Sequence, residues 1–393
     1  MRNVLFVAYD FPPGRGVGSG LRSAYFVRAL AEFGWQPSVV SLDGGQAEQA
    51  GVVRLPSTTP WQRPYEVTPY GWAYVLHRWL KATPGFGWDL VYVSCPPYPQ
   101  ALAAAASASR NGVPLVVDFR DAWSLDPYQE GSRLKRLLYR HLFPHLERRL
   151  LGETSLLLLN TPSALRAYRS AYPEYVSRMA YLPNGYDEAA FSGCRGPVSD
   201  AARSMRLLYA GRFGIGGRSP RRLLEALALA RARGCDVALD IVGQQTADIV
   251  EMINGFAATA RVRFIDEVDY MRAAGMICAA DGLVLIQAAS SGIIQAVAGK
   301  TYDYLRSGRP ILVVAPEGDN VALIREHSSA FESSSDGVHD MADALERLYR
   351  RWRASEFDGD RRPGPAFTGF FERRALTRQL AGHFDRLVGE GPA

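Results

Sequence analysis

Ala296-Val297-Ala298-Gly299-Lys300-Thr301-Tyr302-Asp303-Tyr304-Leu305-Arg306-Ser307-Gly308-Arg309-Pro310-Ile311-Leu312-Val313-Val314 reads as a loop, a short helix, a stop and a buried strand. Gly299 loosens the approach, and nothing from Thr301 to Arg306 breaks a helix. Gly308 stands just past the predicted helix, where a left-handed conformation costs glycine least. Pro310 cannot extend a helix, and the apolar run behind it has the composition of a buried strand. Lys300 therefore falls at the positive end of a helix dipole, beside N–H groups that have no intrahelical acceptor. A cation is out of place there unless an anion shares the site, and a phosphate satisfies both. Asp303, at i+3, shares the face of Lys300. A cation for phosphate and a carboxylate for sugar hydroxyls suit a nucleotide-sugar. The same spacing also describes a plain surface Lys–Asp pair.

Upstream, residues 282–287 form a predicted strand that leads into the loop Ser290-Ser291-Gly292-Ile293-Ile294-Gln295. Further back, residues 205–210 read as a strand, followed by Gly211-Arg212-Phe213-Gly214-Ile215-Gly216-Gly217-Arg218-Ser219-Pro220 and a helix over 221–232. Residues 237–242 and 262–265 are further strands, and 270–279 a helix. Arg212 and Arg218 are candidate partners for a diphosphate, because a planar guanidinium can grip two oxygens at once.

The amino-terminal half repeats this plan. Residues 4–8 form a buried strand, and a glycine-rich loop carries Gly14, Gly16, Gly18, Gly20 and Arg22. A helix then runs to about Phe33, Gly34 stops it, and residues 39–42 form the next strand. Strand, glycine loop, helix and strand is the phosphate-approach unit of a doubly wound fold. The dinucleotide fingerprint is absent, since Leu21 stands where its last glycine is needed. A helix with aromatic anchors is expected around Trp72–Leu80, a strand over 89–94, an alanine-rich helix over 101–109 and a strand over 113–117. That last strand delivers Asp118, Arg120 and Asp121 to its carboxyl end, where ligands bind in such sheets. The three residues also suit a buried salt-bridge knot. From Ser132 to Leu151 leucines recur at helical spacing among Arg133, Lys135, Arg136, Arg140, Arg148 and Arg149, with Pro144 expected to kink the helix. A solvated face or attachment to an anionic membrane explains this pattern. Residues 155–160 are a strand, and Pro183-Asn184-Gly185 is a turn. Residues 188–205 look like a linker, and a last helix is expected over 367–388.

At 393 residues the chain can build two cores. Its 47% hydrophobic and 22% charged content is that of a soluble globular protein, and no apolar run is long enough to span a membrane. The net charge of +5 favours anionic partners, phosphates and lipid headgroups included, but no nucleic-acid motif is present. No signal peptide is expected before the first strand. Cys95, Cys194, Cys235 and Cys278 form no C-x-x-C pair, and reduced core thiols in a cytoplasmic protein are expected. His141 and His145 have ligand-like spacing without a third ligand, so no metal site is expected.

The stretch from Lys300 through Asp303-Tyr304-Leu305 to Gly308-Arg309-Pro310 resembles the donor-binding segment of retaining glycosyltransferases of the GT4 type. Pro12-Pro13 before the glycines and Leu182-Pro183-Asn184-Gly185-Tyr186-Asp187 extend that resemblance over most of the chain. It implies an α/β fold of GT-B architecture, two Rossmann-like doubly wound domains facing a central cleft. The implied division is an acceptor domain at 1–190, a nucleotide-sugar domain at 191–365 and a helix at 366–393 crossing back. The implied donor residues are Gly18, Arg212, Arg218, Gly292, Ile293, Ile294, Gln295, Lys300 and Asp303, the last toward ribose. The implied acceptor residues are Arg22, Asp118, Arg120 and Asp121. Arg218, Lys300 and Asp121 are the expected catalytic groups, with no metal or cofactor. Two positions depart from the family pattern. Gln295 replaces the first of two usual glutamates, and Arg120 stands where many members have histidine.

The resemblance thus implies a retaining enzyme that moves a sugar from a nucleotide-diphosphate sugar to a sugar or lipid-linked glycan in cell-surface glycan or glycoconjugate synthesis. Its expected place is the cytoplasm, with possible peripheral contact at the inner face of an anionic membrane. The rival readings are a GT-B sugar-nucleotide epimerase and a non-catalytic nucleotide-sugar or glycan-binding protein.

Overall fold

The computed structural model describes residues 1–13, 20–43, 49–56, 69–83, 87–125, 137–195, 203–214, 218–288 and 293–389. The expected Gly18, Gly292 and the basic residues Arg133, Lys135 and Arg136 lie outside the described residues. Two compact units divide the chain. The first contains Met1–Asn184, Gly292–Ile294 and Arg373–Ala393, and the second contains Gly185–Ser291 and Gln295–Glu372.

The first unit is built on seven parallel strands: β1 (Arg2–Ala8), β2 (Trp35–Leu42), β3 (Val52–Leu55), β4 (Leu90–Cys95), β5 (Leu115–Phe119), β6 (Leu156–Leu159) and β7 (Met179–Tyr181). Their order across the sheet is β3-β2-β1-β4-β5-β6-β7. The second unit has six: β8 (Met205–Ala210), β9 (Val237–Val242), β10 (Val262–Ile265), β11 (Gly282–Ile286), β12 (Ile311–Val314) and β13 (Phe331–Ser334). Their order, β10-β9-β8-β11-β12-β13, reverses at the first strand just as the first sheet does. All the pairings are parallel. The central strands are apolar runs, as burial on both faces of a parallel sheet requires. Both sheets are therefore Rossmann-like, and the fold is the expected GT-B class.

Several boundaries differ from the sequence reading. β3 and β7 are too short and too mixed to show a strand pattern alone, and pairing with β2 and β6 makes them strands. β5 runs on to Phe119, so Asp118 lies within the strand instead of beyond it. Pro144 opens the Phe143–Glu153 helix, where its missing N–H costs nothing, and a π-helical turn over Leu138–Leu142 precedes it. Glu147 on that helix is buried, and its carboxylate accepts from Tyr168 Oη at 2.5 Å, Tyr172 Oη at 2.8 Å and the Ser124 hydroxyl. The expected linker is partly built: Glu188–Phe191 forms a 3-10 turn and Phe191 is fully buried. The expected terminal helix is two helices, Pro365–Phe371 in the second unit and Arg373–Gly389 in the first. The latter packs Phe384 edge-on to Trp35, whose Nε1 donates to Asp385 at 3.0 Å.

The cysteines overturn one expectation. Cys194 and Cys278 form a disulfide with their Cα atoms 5.2 Å apart, although 84 residues separate them in sequence. Only the fold brings them within bridging distance. Cys95 and Cys235 are free and buried.

Candidate donor site

Helix Gly299–Ser307 begins where the sequence placed it, and Gly308 ends it at φ +69°. Lys300 is the helix's second residue, and every residue from Thr301 to Ser307 is buried. The Lys300 amine is closed off from water, and among the described residues it has no hydrogen-bond partner. It lies 3.7 Å from the centroid of the Tyr209 ring, and Phe213 stacks on that ring at 4.2 Å. Its nearest loop neighbour is Gly211: a Cβ there would lie 3.0 Å from Lys300 Nζ. Gly211, at φ +143°, leaves the amine its room and takes a conformation that side chains disfavour. Burial first, and the nearby Arg218 charge second, hold the Lys300 amine well below the usual lysine range.

The loop after β8 is fixed around this amine. Gln245 Nε2 donates to Gly211 O at 2.7 Å, and its Oε1 accepts from Phe213 N at 2.9 Å. Ala210 N donates to the Tyr304 hydroxyl at 2.9 Å, which ties the strand end to the lysine's own helix. Arg218 lines a cavity of about 530 Å3 with Ser219, Arg222, Gln287, Ala315 and Ser335, at the carboxyl ends of β11, β12 and β13. That volume is in the range of small-ligand sites, and the strand ends are where doubly wound sheets bind them. Arg212 is exposed and points to no ion pair among the described residues.

A polar chain braces the floor. Thr301 Oγ1 donates to Asn320 Oδ1 at 2.7 Å, Asn320 Nδ2 to Gln287 Oε1 at 2.6 Å, and Gln287 Nε2 to Ala296 O at 2.8 Å. Asp303 is buried and accepts from the Tyr270 hydroxyl at 2.7 Å, and Tyr270 in turn accepts from Asp187 N at 3.3 Å. Gln295 lies against the Gly318 backbone. Ile293 is exposed, whereas Ile294 is buried in the core of the first unit. Tyr209, Gln245, Tyr270 and Asn320 were not singled out by sequence. Gln245, two residues past Gly243 at the end of β9, carried the one usable signal, a polar side chain just beyond a strand's carboxyl end.

In the first unit, Arg22 and Asp118 form a closed pair. Arg22 Nε donates to Asp118 Oδ2 at 2.7 Å and Nη2 to Oδ1 at 3.2 Å, while its Nη atoms also reach Leu182 O at 2.8 Å and Pro183 O at 2.5 Å. Tyr92 donates to the same carboxylate, which is wholly buried. Of the expected acceptor residues, these two are engaged with each other: β5 carries Asp118 inside the sheet, where Arg22 and Tyr92 bond it. Arg120 donates to Pro96 O at 3.0 Å. Asp121 alone of the carboxylates here is exposed, on a segment held by Tyr98, whose hydroxyl donates to Ala122 O at 2.7 Å.

Residues 17–185, most of the first unit, match the family described as glycosyl transferase 4-like domain. The fold of the chain is GT-B. Sucrose-phosphate synthase from Thermosynechococcus elongatus superposes with a TM-score of 0.68 at 16% identity, covering 99% of this chain and 100% of that one. Anabaena HepE in complex with UDP and glucose gives 0.63 at 14% identity over 98% and 99%. A putative UDP-N-acetylglucosamine 2-epimerase from Listeria monocytogenes gives 0.63 at 11% identity over 99% and 97%. At such identities these likenesses show the fold. No curated protein matches the sequence significantly.

Proposed function

We propose that this chain is a GT4-type retaining glycosyltransferase that takes its sugar from a nucleotide-diphosphate sugar held in the second unit. The carrying observation is the Lys300 amine, buried without a hydrogen-bond partner among the described residues and acted on by the charge of Arg218, which lines the cavity at the strand ends. A buried amine with no acceptor is costly to charge, and a diphosphate supplies both charge and acceptor oxygens. Lys300 and Arg218, with Arg212 free to swing in, would stabilise the leaving diphosphate as negative charge develops on it. Attack from the leaving-group face retains configuration, with a donor phosphate oxygen taking the acceptor's proton, and this scheme needs no metal. Solved GT-B neighbours contain UDP or UDP-glucose, which supports a nucleotide-sugar donor.

Asp303 is proposed to meet ribose hydroxyls. Asp121, exposed on the first unit, is proposed to orient a sugar or lipid-linked glycan acceptor, in the synthesis of a cell-surface glycan or glycoconjugate. We place the enzyme in the cytoplasm with peripheral contact to anionic lipid. No helix among the described residues is long and apolar enough to cross a membrane, and Leu137 and Leu142 are exposed beside Arg140. Co-sedimentation with anionic vesicles, lost in high salt, is expected; equal binding to neutral vesicles would refute that contact.

The test is a thermal-shift screen of UDP-, GDP-, ADP- and TDP-sugars, followed by NMR of the product with the stabilising donor. Retained anomeric configuration is expected, and inversion would overturn the mechanism. Asp121→Asn should impair transfer to acceptor more than donor hydrolysis, whereas Arg218→Ala should depress both; equal losses in Asp121→Asn would remove its acceptor role. The likeness to an epimerase favours a second reading, against which the family match of residues 17–185 weighs. Interconversion of a UDP-sugar without acceptor would be its signature.

A further inference from the structure

We propose that Lys300 is uncharged while the donor pocket is empty, and that the donor's diphosphate binds together with one proton taken up at Nζ. This rests on the reading of the pocket as a nucleotide-diphosphate site. An ammonium presents three donors, and here none finds an acceptor among the described residues. The Tyr209 ring, 3.7 Å away, is the favourable contact for a positive charge among the described residues. A cation–π contact returns about 0.5–2 kcal/mol, whereas stripping water from an unpaired charge costs several. The balance favours the neutral amine.

The groups facing the amine agree. From β8 comes the Tyr209 phenol, pushed up to about 12 by burial and hence neutral. From the loop after β8 come the Gly211 backbone and Arg218, a like charge. On the lysine's own helix Asp303 is engaged by Tyr270, and it is Arg218, with burial, that acts on the amine. Among the described residues, no carboxylate acts on the amine.

Composition adds an independent argument. The chain has three lysines, Lys81, Lys135 and Lys300, against 42 arginines. An arginine keeps its charge throughout the physiological range, whereas a buried lysine does not. The cation at this position is of the type that can give up its proton. When a diphosphate arrives, its oxygens supply the missing acceptors and its charge offsets Arg218. The amine lone pair then takes a proton from solvent, one N–H bond forms, and the buffer loses that proton. Donor affinity should therefore fall about tenfold per pH unit between the free and bound titrations of Lys300.

The experiment uses the full chain labelled with ε-13C lysine, which gives three signals; that of Lys300 is assigned by its loss in Lys300→Gln. The third signal, that of Lys300, should titrate clearly below the ordinary lysine value of about 10.4. At pH 8.5, where the UDP phosphates are fully ionised, UDP should move the third signal alone to its charged position. A Lys300 signal that titrates at the ordinary lysine value in the free protein overturns the proposal and leaves the functional reading standing. So does UDP binding, seen by calorimetry, that leaves Lys300 neutral. If UDP does not bind, GDP, ADP and TDP are tried in turn; failure of all four falls on the functional reading and takes the proposal with it.

Discussion

Lys300 and Gly211 depend on each other. The amine reaches its place because no side chain stands at position 211, and the glycine's backbone angle suits no other residue. Lys300→Ala removes a charge-assisted contact worth about 1.5–3 kcal/mol, so nucleotide-diphosphate affinity should drop roughly ten- to hundredfold with the fold intact. Calorimetry that shows unchanged affinity would take Lys300 out of the site. Lys300→Arg should do worse than the preserved charge suggests. A guanidinium is larger than the space beside Gly211 and stays charged when the pocket is empty, so the variant should lose thermal stability as well as affinity. Wild-type stability in Lys300→Arg would contradict the buried, uncharged amine.

At the scale of elements, the strand β5 and the helix Leu21–Ala29 are locked by Arg22 and Asp118. The pair is buried, and breaking one side leaves an uncompensated charge. Arg22→Met should therefore cost about 3–5 kcal/mol, as should Asp118→Leu, while the double variant loses clearly less than the sum. Urea unfolding of the three variants measures this; additive losses would mean that the two side chains act separately. The same strand shows what the sequence left open. Val113–Val117 looked like its apolar extent, and a carboxylate at 118 looked like an exit. Pairing with β4 and β6 carries the strand two residues further, and Arg22, 96 residues away in sequence, makes a buried aspartate tolerable.

In the molecule as a whole, the Cys194–Cys278 bridge closes a loop of more than 80 residues in the second unit. Chain-entropy arguments give about 4–5 kcal/mol for a loop of this length. Reducing agent should lower the thermal midpoint of wild-type protein and leave Cys194→Ala unmoved, and thiol titration of the unfolded, unreduced chain should find two free groups. Four free thiols would show that the pair is not oxidised in the isolated protein. A reducing cytoplasm would challenge this bond, and the burial of Cys194 is what protects it.

The sequence by itself determined the duplicated strand–loop–helix plan, the helix start at Lys300 and its stop at Gly308. These depend on local chemistry: apolar runs, glycine's backbone freedom and proline's missing donor. The repeated plan was enough for the doubly wound fold, because parallel strands need crossovers of that kind. Only the tertiary structure decided that Asp118 belongs to a closed pair and that Cys194 meets Cys278. It also set the Lys300 amine against Tyr209 without a partner. Each of these joins residues far apart in the chain, and burial, which sets what a charge or a thiol does, exists only once the sheets have formed.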